Sequence, residues 1–202
     1  RIILILYLLI LVLSVNLKGT VMRNDVIQRA SAYTTYNWAV KTTNTRYLVY
    51  KYSGASITGV SYSYGNTHNI FSFQSAISGG KIPRNWMLTP GVPANPSGSY
   101  AGTDCAALVR DCWGANTQII DIFVSNCLKI DGSKIKSGDI VARTGNNRHV
   151  QIAANQTFGY EAAGWGNSTD TLIIDKDHQM VIISPLHSAG DGFNPYSPFP
   201  QF

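Results

Sequence analysis

The chain has 202 residues, of which 45% are hydrophobic and only 13% charged, enough for one well-buried domain and short for two. Its net charge of +5 comes from Lys and Arg residues scattered singly, and without a basic cluster the pattern does not fit a nucleic-acid interface. A mild positive charge suits an anionic polymer instead.

Ile2 to Val15 form an apolar run behind Arg1, followed by Asn16-Leu17-Lys18-Gly19. A membrane span needs about 20 such residues, so this run has the length of a signal-peptide core. The expected organisation is a signal peptide or N-terminal anchor over 1–18, one folded domain over 20–185, and a Pro/Gly/aromatic tail over 186–202. No membrane contact beyond the leader is expected.

Val26, Ile27, Ala30, Tyr33 and Trp38 recur at helical spacing and predict a helix across Val21 to Val40. Thr42 to Tyr64, rich in Thr, Tyr, Val and Ser, predicts two or three short strands. Phe71 to Gly80 predicts a short helix stopped by Gly79-Gly80. From Lys81 to Ala101 prolines and glycines mark a long irregular loop, read as a wall beside a binding site.

Gly102-Thr103-Asp104-Cys105 then opens a helix that runs through Ala106, Ala107, Leu108 and Val109 to Cys112-Trp113-Gly114. Thr103 or Asp104 can cap its start and Gly114 its end, and its apolar composition makes it central. Cys105 falls in the first turn, where free backbone N–H groups and the helix dipole favour a thiolate. A second helix is expected over Thr117 to Leu128. Strands follow around Asp139–Arg143, His149–Ala154, Phe158–Ala162, Thr171–Ile174 and Met180–Ser184. Val150 and Ile152 alternate with His149 and Gln151, placing the two pairs on opposite faces. The class is α+β: helices packed on an antiparallel sheet.

Four pieces in this order resemble the NlpC-type cell-wall cysteine peptidases, a papain-like family. Asp104-Cys105 with Leu108-Val109 matches its nucleophile motif Asp-Cys-Ser-Gly-Leu/Phe-Val. Gly138-Asp139 matches its strand start, and His149-Val150 its histidine segment. Gly59-Val60-Ser61-Tyr62-Ser63-Tyr64-Gly65 is similar to its Gly-x-x-Tyr-x-Trp-Gly-Gly segment. The resemblance runs from about residue 22 to 175 and departs in three places: Ala106-Ala107 replaces Ser-Gly, Tyr64 replaces Trp, and Asn66 replaces the second glycine.

The resemblance implies a papain-like fold and an exported bacterial or phage-type enzyme, periplasmic, in the cell envelope or secreted. Its implied reaction is amide hydrolysis in peptidoglycan stem peptides at a γ-D-glutamyl–diamino acid linkage. Cys105 is the implied nucleophile, His149 its acid and base, and Glu161, twelve positions on across a hairpin, the group that orients the imidazole. Tyr62 and Asp104 are the implied substrate contacts. A peptidoglycan fragment is the expected partner, acted on by a monomer.

The other histidines, His68, His178 and His187, read as surface residues. The His and Cys spacing matches no metal motif, and no cofactor is expected. With three cysteines, either Cys112 and Cys127 pair and leave Cys105 free, or all three are reduced. Two other functions remain open: a non-catalytic wall-binding module on the same fold, motivated by the Ala106, Tyr64 and Asn66 changes, and an amidase or acyltransferase acting on another amide.

Overall fold

The computed structural model describes residues 23–41, 56–83, 100–145, 148–162 and 181–199. The leader, the loop over 84–99, the candidate strand Thr171–Ile174 and His178 lie outside these residues. Among the described residues no helix is long and apolar enough to cross a membrane.

Helix α1 covers residues 23–35 and buries Val26, Ala30 and Tyr33 along one stripe. It ends earlier than its periodicity predicts. Thr34 and Thr35 turn their hydroxyls onto the Ser31 carbonyl, and β1 (Asn37–Ala39) follows, paired antiparallel with β2 (Ser56–Thr58). Trp38 is therefore a strand residue. Its indole N–H donates to the Gly59 carbonyl at 2.9 Å, tying the N-terminal layer to the 59–65 segment. Helix α2 (Ile70–Ser78) is capped by Asn69 and buries Phe73 edge-on against Tyr36 and Trp38. Strands β3 (Ile82–Pro83) and β4 (Tyr100–Ala101) form a short parallel pair that leads into the helix starting at Cys105.

Helix α3 (Cys105–Trp113) is the central helix that the sequence predicts. Asp104 caps it and Gly114 ends it with φ of 66°. Helix α4 (Ile120–Ser125) is only half the predicted length. Asn126 caps its end, its side chain donating to the Ile122 carbonyl, and β5 (Leu128–Lys129) is drawn instead into pairing with the C-terminal strand.

Among the described residues the main sheet has six strands, all antiparallel: β5, β10 (Asn194–Ser197), β6 (Ile140–Arg143), β7 (His149–Ala153), β8 (Phe158–Ala162) and β9 (Val181–Pro185), in that spatial order. This is the α+β layering expected, and α3 lies across β7 and β8. Sequence reads the stretch from Leu186 onward as a loop-like tail, yet Asn194–Ser197 is an interior strand between β5 and β6. Proline, glycine and aromatics obscured it, because Pro195 removes one ladder donor and the strand is only four residues long.

Alternation in the sheet separates two cores. Ile140, Ala142, Val150, Ile152, Tyr160 and Ala162 face the helices, while Val141, Ala153 and Phe193 form a smaller cluster on the opposite face. Asp139, fully buried, is held by Arg23 at 2.9 Å and by the Lys136 N–H at 2.8 Å. Arg23 also donates to the Ser137 carbonyl and the Ser197 hydroxyl, and its guanidinium lies 4.2 Å over the Phe199 ring. This one side chain joins α1, the start of β6 and the C-terminal strand. Arg23→Met is expected to lower unfolding free energy by about 3 kcal/mol, because it strands a buried carboxylate; a urea titration measures it.

Candidate active site

Two segments fix the start of α3. Residues 59–65 run beside 101–104, with Ser63 N–H donating to the Thr103 carbonyl and Thr103 N–H to the Ser61 carbonyl. Gly102 permits that approach: a Cβ there would lie 2.6 Å from both the Ser61 oxygen and the Ser63 Cβ. His68, predicted to be a surface residue, is half-buried, with Nδ1 3.0 Å from the Gly102 carbonyl. Burial lowers its pKa. Asn66, where the family pattern has glycine, accepts the Asp104 N–H through its carbonyl at 3.2 Å.

Asp104 is predicted to contact substrate, but its two carboxylate oxygens are engaged by backbone. Oδ1 accepts the Ala107 N–H at 2.7 Å and Oδ2 the Gly65 N–H at 3.2 Å. It caps α3 and latches the 59–65 segment to it, a positioning role. Burial pushes its pKa up, against the pull of the Ala107, Gly65 and Ala106 N–H groups and of Arg110.

Cys105 is the first residue of α3 and partly open to solvent. All three cysteines are free thiols. The backbone N–H groups of Val150, Ala106 and Cys105 itself interact with the Cys105 sulfur. Sequence predicts a depressed thiol pKa, but the surrounding protein and the adjacent Asp104 charge outweigh those donors and push it up to about 12. The resting group is a thiol, not a thiolate. Removing the Asp104 charge removes one upward push, so Asp104→Asn, which keeps a good cap, lowers the thiol pKa. Iodoacetamide labelling of Cys105 at pH 8 should then be faster by about tenfold, read by peptide mass spectrometry.

Tyr62 is mostly buried and close enough to Cys105 and Asp104 for their charges to raise its pKa, after the larger effect of burial. Tyr64, two residues on, is 55% exposed.

His149 opens β7 with its side chain 6% exposed, and Glu161 on β8 is 5% exposed. Their contact is Nε2 to Oε2 at 2.6 Å. The ladder between β7 and β8 holds Ile152 opposite Tyr160 and Ala153 opposite Gly159. Toward His149 it gives out, and there the Val150 N–H meets the Cys105 sulfur. The His149 side chain, however, lies with Gln151 on the sheet face opposite Val150 and Ile152, which carry α3, and packs against His187 and Phe193, so no contact joins imidazole and thiol among the described residues. Because Nε2 faces Glu161, Nδ1 is the imidazole nitrogen left for another partner among the described residues.

Glu161 is the centre of a larger polar cluster. Oε1 accepts the Ser184 hydroxyl, and Oε2 also lies 3.5 Å from Nε2 of His187. Burial alone would raise the Glu161 pKa. The hydrogen bonds of His149 and His187, the His149 charge and the Ser184 hydroxyl outweigh it and hold the carboxyl well below the usual carboxylate range. Gln151 completes the network, donating to Ser184 at 2.7 Å and accepting the His187 backbone N–H at 2.8 Å.

His187 is the residue that sequence reading missed. Predicted as a surface residue, it stacks on Phe193 with centroids 4.3 Å apart and meets His149 edge-on at 5.7 Å. Its one sequence signal is its place just after β9, the neighbour of β8. Using that signal requires knowing the strand order.

No family model matches the chain, and no curated protein matches it. Among solved structures it is similar to the peptidoglycan hydrolase RipB from Mycobacterium tuberculosis, at 13% identity over 92% of this chain and 68% of that one, with a TM-score of 0.49. It is also similar to the P60 domain of an antigen from M. avium subspecies paratuberculosis, at 15% identity over 90% of this chain and 94% of that one, with a TM-score of 0.43.

Proposed function

We propose that this protein is an exported cysteine hydrolase that cleaves an amide bond in peptidoglycan stem peptides. The observation that carries the reading is a buried His149–Glu161 pair on β7 and β8, the two strands that α3 crosses with Cys105 at its N-terminus. Such a pair has a direct use in acyl transfer: the carboxylate fixes which imidazole nitrogen carries the proton and stabilises the imidazolium that forms. The wall-peptide substrate and the γ-D-glutamyl–diamino acid linkage rest on the motif resemblance of Asp104-Cys105, Gly138-Asp139 and His149-Val150.

Since the resting thiol is protonated, Cys105 must lose its proton as the sulfur attacks the scissile carbonyl, and His149 takes it through Nδ1 once the imidazole turns from its resting place beside Phe193 toward the thiol. The N–H groups of Cys105 and Ala106, which interact with the sulfur before substrate arrives, are the nearest donors for the developing oxyanion. His149 then passes its proton to the leaving amine. Water, deprotonated by the same imidazole, hydrolyses the thioester. Tyr62 lines the approach to the thiol.

Incubation with purified muropeptides, followed by mass spectrometry, tests the reading. The expected result is a pair of fragments whose masses sum to the parent plus water and place the cut at the proposed linkage. Intact muropeptides, with the protein folded and retained on sacculi, would instead support a wall-binding module. Cleavage elsewhere, or of another amide, would keep the chemistry and change the substrate.

A further inference from the structure

We infer that His149, Glu161 and His187 form a site for a divalent transition metal, zinc by its donor chemistry, and that filling it switches off His149. The three ligand atoms lie within 4.8 Å of one another. Both imidazoles present Nε2 to the same carboxylate oxygen, at 2.6 and 3.5 Å. A zinc ion with bonds of about 2.0–2.2 Å sets its ligand atoms roughly 3.3 Å apart. The His187–Glu161 spacing already fits, and the His149–Glu161 spacing is that of a contact bridged by a proton, which opens when a metal replaces it.

The surroundings hold the ligands in place. Ser184 occupies Oε1 of Glu161, leaving Oε2 to face the two imidazoles. Phe193 stacks on the His187 ring, and Gln151 holds the His187 backbone N–H. Such outer contacts orient metal ligands. His187 is about one-third exposed, so an ion has a way in. Two imidazoles and one carboxylate leave a zinc ion one open position for water.

A metal on Nε2 takes the lone pair there, so the neutral imidazole of His149 carries its one proton on Nδ1. Nδ1 then has no lone pair with which to accept a proton, and Glu161 no longer serves the imidazole alone. The metal site stands on geometry by itself; its inhibitory effect rests on the hydrolase reading.

Two readouts keep those parts apart. Cobalt(II) is titrated into the full chain carrying Cys105→Ala, so that the nucleophile thiol is not a ligand, and visible d–d absorption reports binding. The expected result is a saturable one-to-one band, weakened at least about tenfold in Kd when His187→Asn is added. His187→Gln serves as a second replacement, and circular dichroism confirms the fold of each. Zinc is then tested on muropeptide cleavage as the ratio of rates with and without metal within each protein. That ratio should fall at least about tenfold with Cys105 intact, recover with EDTA, and stay near one in His187→Asn. Absence of a saturable cobalt band, or a band indifferent to both His187 replacements, overturns the site and leaves the hydrolase reading intact. A His187-dependent band in a protein that cleaves nothing supports the site and removes the hydrolase reading. Cleavage with a His187-dependent band and no zinc effect overturns the switch.

Discussion

Cys105→Ala should reduce muropeptide cleavage by at least about 10⁴-fold while changing stability by no more than about 1 kcal/mol. The two effects separate because Cys105 is a partly buried residue at the helix start, whereas the core beneath it is made by Leu108, Val109 and Cys112. Capping of α3 by Asp104 does not use the Cys105 side chain, so alanine, a good helix former, keeps the geometry. Cys112→Ala is the counterpart: that thiol is buried in the core, so its loss should cost stability and leave the chemistry. Cleavage rates beside urea unfolding curves for the two variants decide the matter.

Glu161 should show both kinds of loss. Glu161→Gln keeps a hydrogen-bonding group near His149 but removes the negative charge that stabilises an imidazolium. We expect kcat/KM to fall by about 10²-fold or more. Glu161→Ala goes further, leaving His149 Nε2 and the Ser184 hydroxyl without their shared acceptor in a buried setting. It should lose at least as much activity and about 1–3 kcal/mol of stability. If Glu161 were an ordinary exposed strand residue, both variants would behave like wild type. Parallel kinetics and unfolding measurements on the two variants distinguish these outcomes.

Much of the fold was legible wherever one local signal dominated. Helix α3 has a capping aspartate, an apolar interior and a terminal glycine, and each occupies its predicted place. The alternation of His149 and Gln151 against Val150 and Ile152 gave the two faces of β7 correctly. Legibility failed where partners distant in sequence decide the outcome. Leu128–Lys129 leaves a helical pattern because β10 offers it a ladder, and the proline-containing 194–197 segment becomes an interior strand because β5 and β6 flank it.

The site divides in the same way. Cys105, His149 and Glu161 carry motif and hairpin signals, and the pairing of His149 with Glu161 across the hairpin is the one that the structure shows. Asp104 is the instructive exception, since its neighbour in sequence suggested ligand contact while its oxygens serve backbone N–H groups. The thiol's pKa direction was also misread. The helix-start donors are present, but the enclosing protein and the Asp104 charge together exceed them. His187 had no signal of its own, because only the β8–β9 pairing brings it to Glu161.

During turnover Cys105 should carry the acyl group. Wild-type protein mixed with muropeptide and quenched in acid within seconds tests this most directly, by intact-protein mass spectrometry with peptide mapping. The predicted result is an added mass equal to the acyl half of the substrate, located on the Cys105 peptide and absent from Cys105→Ala. Cleavage that proceeds at equal rates in both proteins, with no adduct in either, would contradict it.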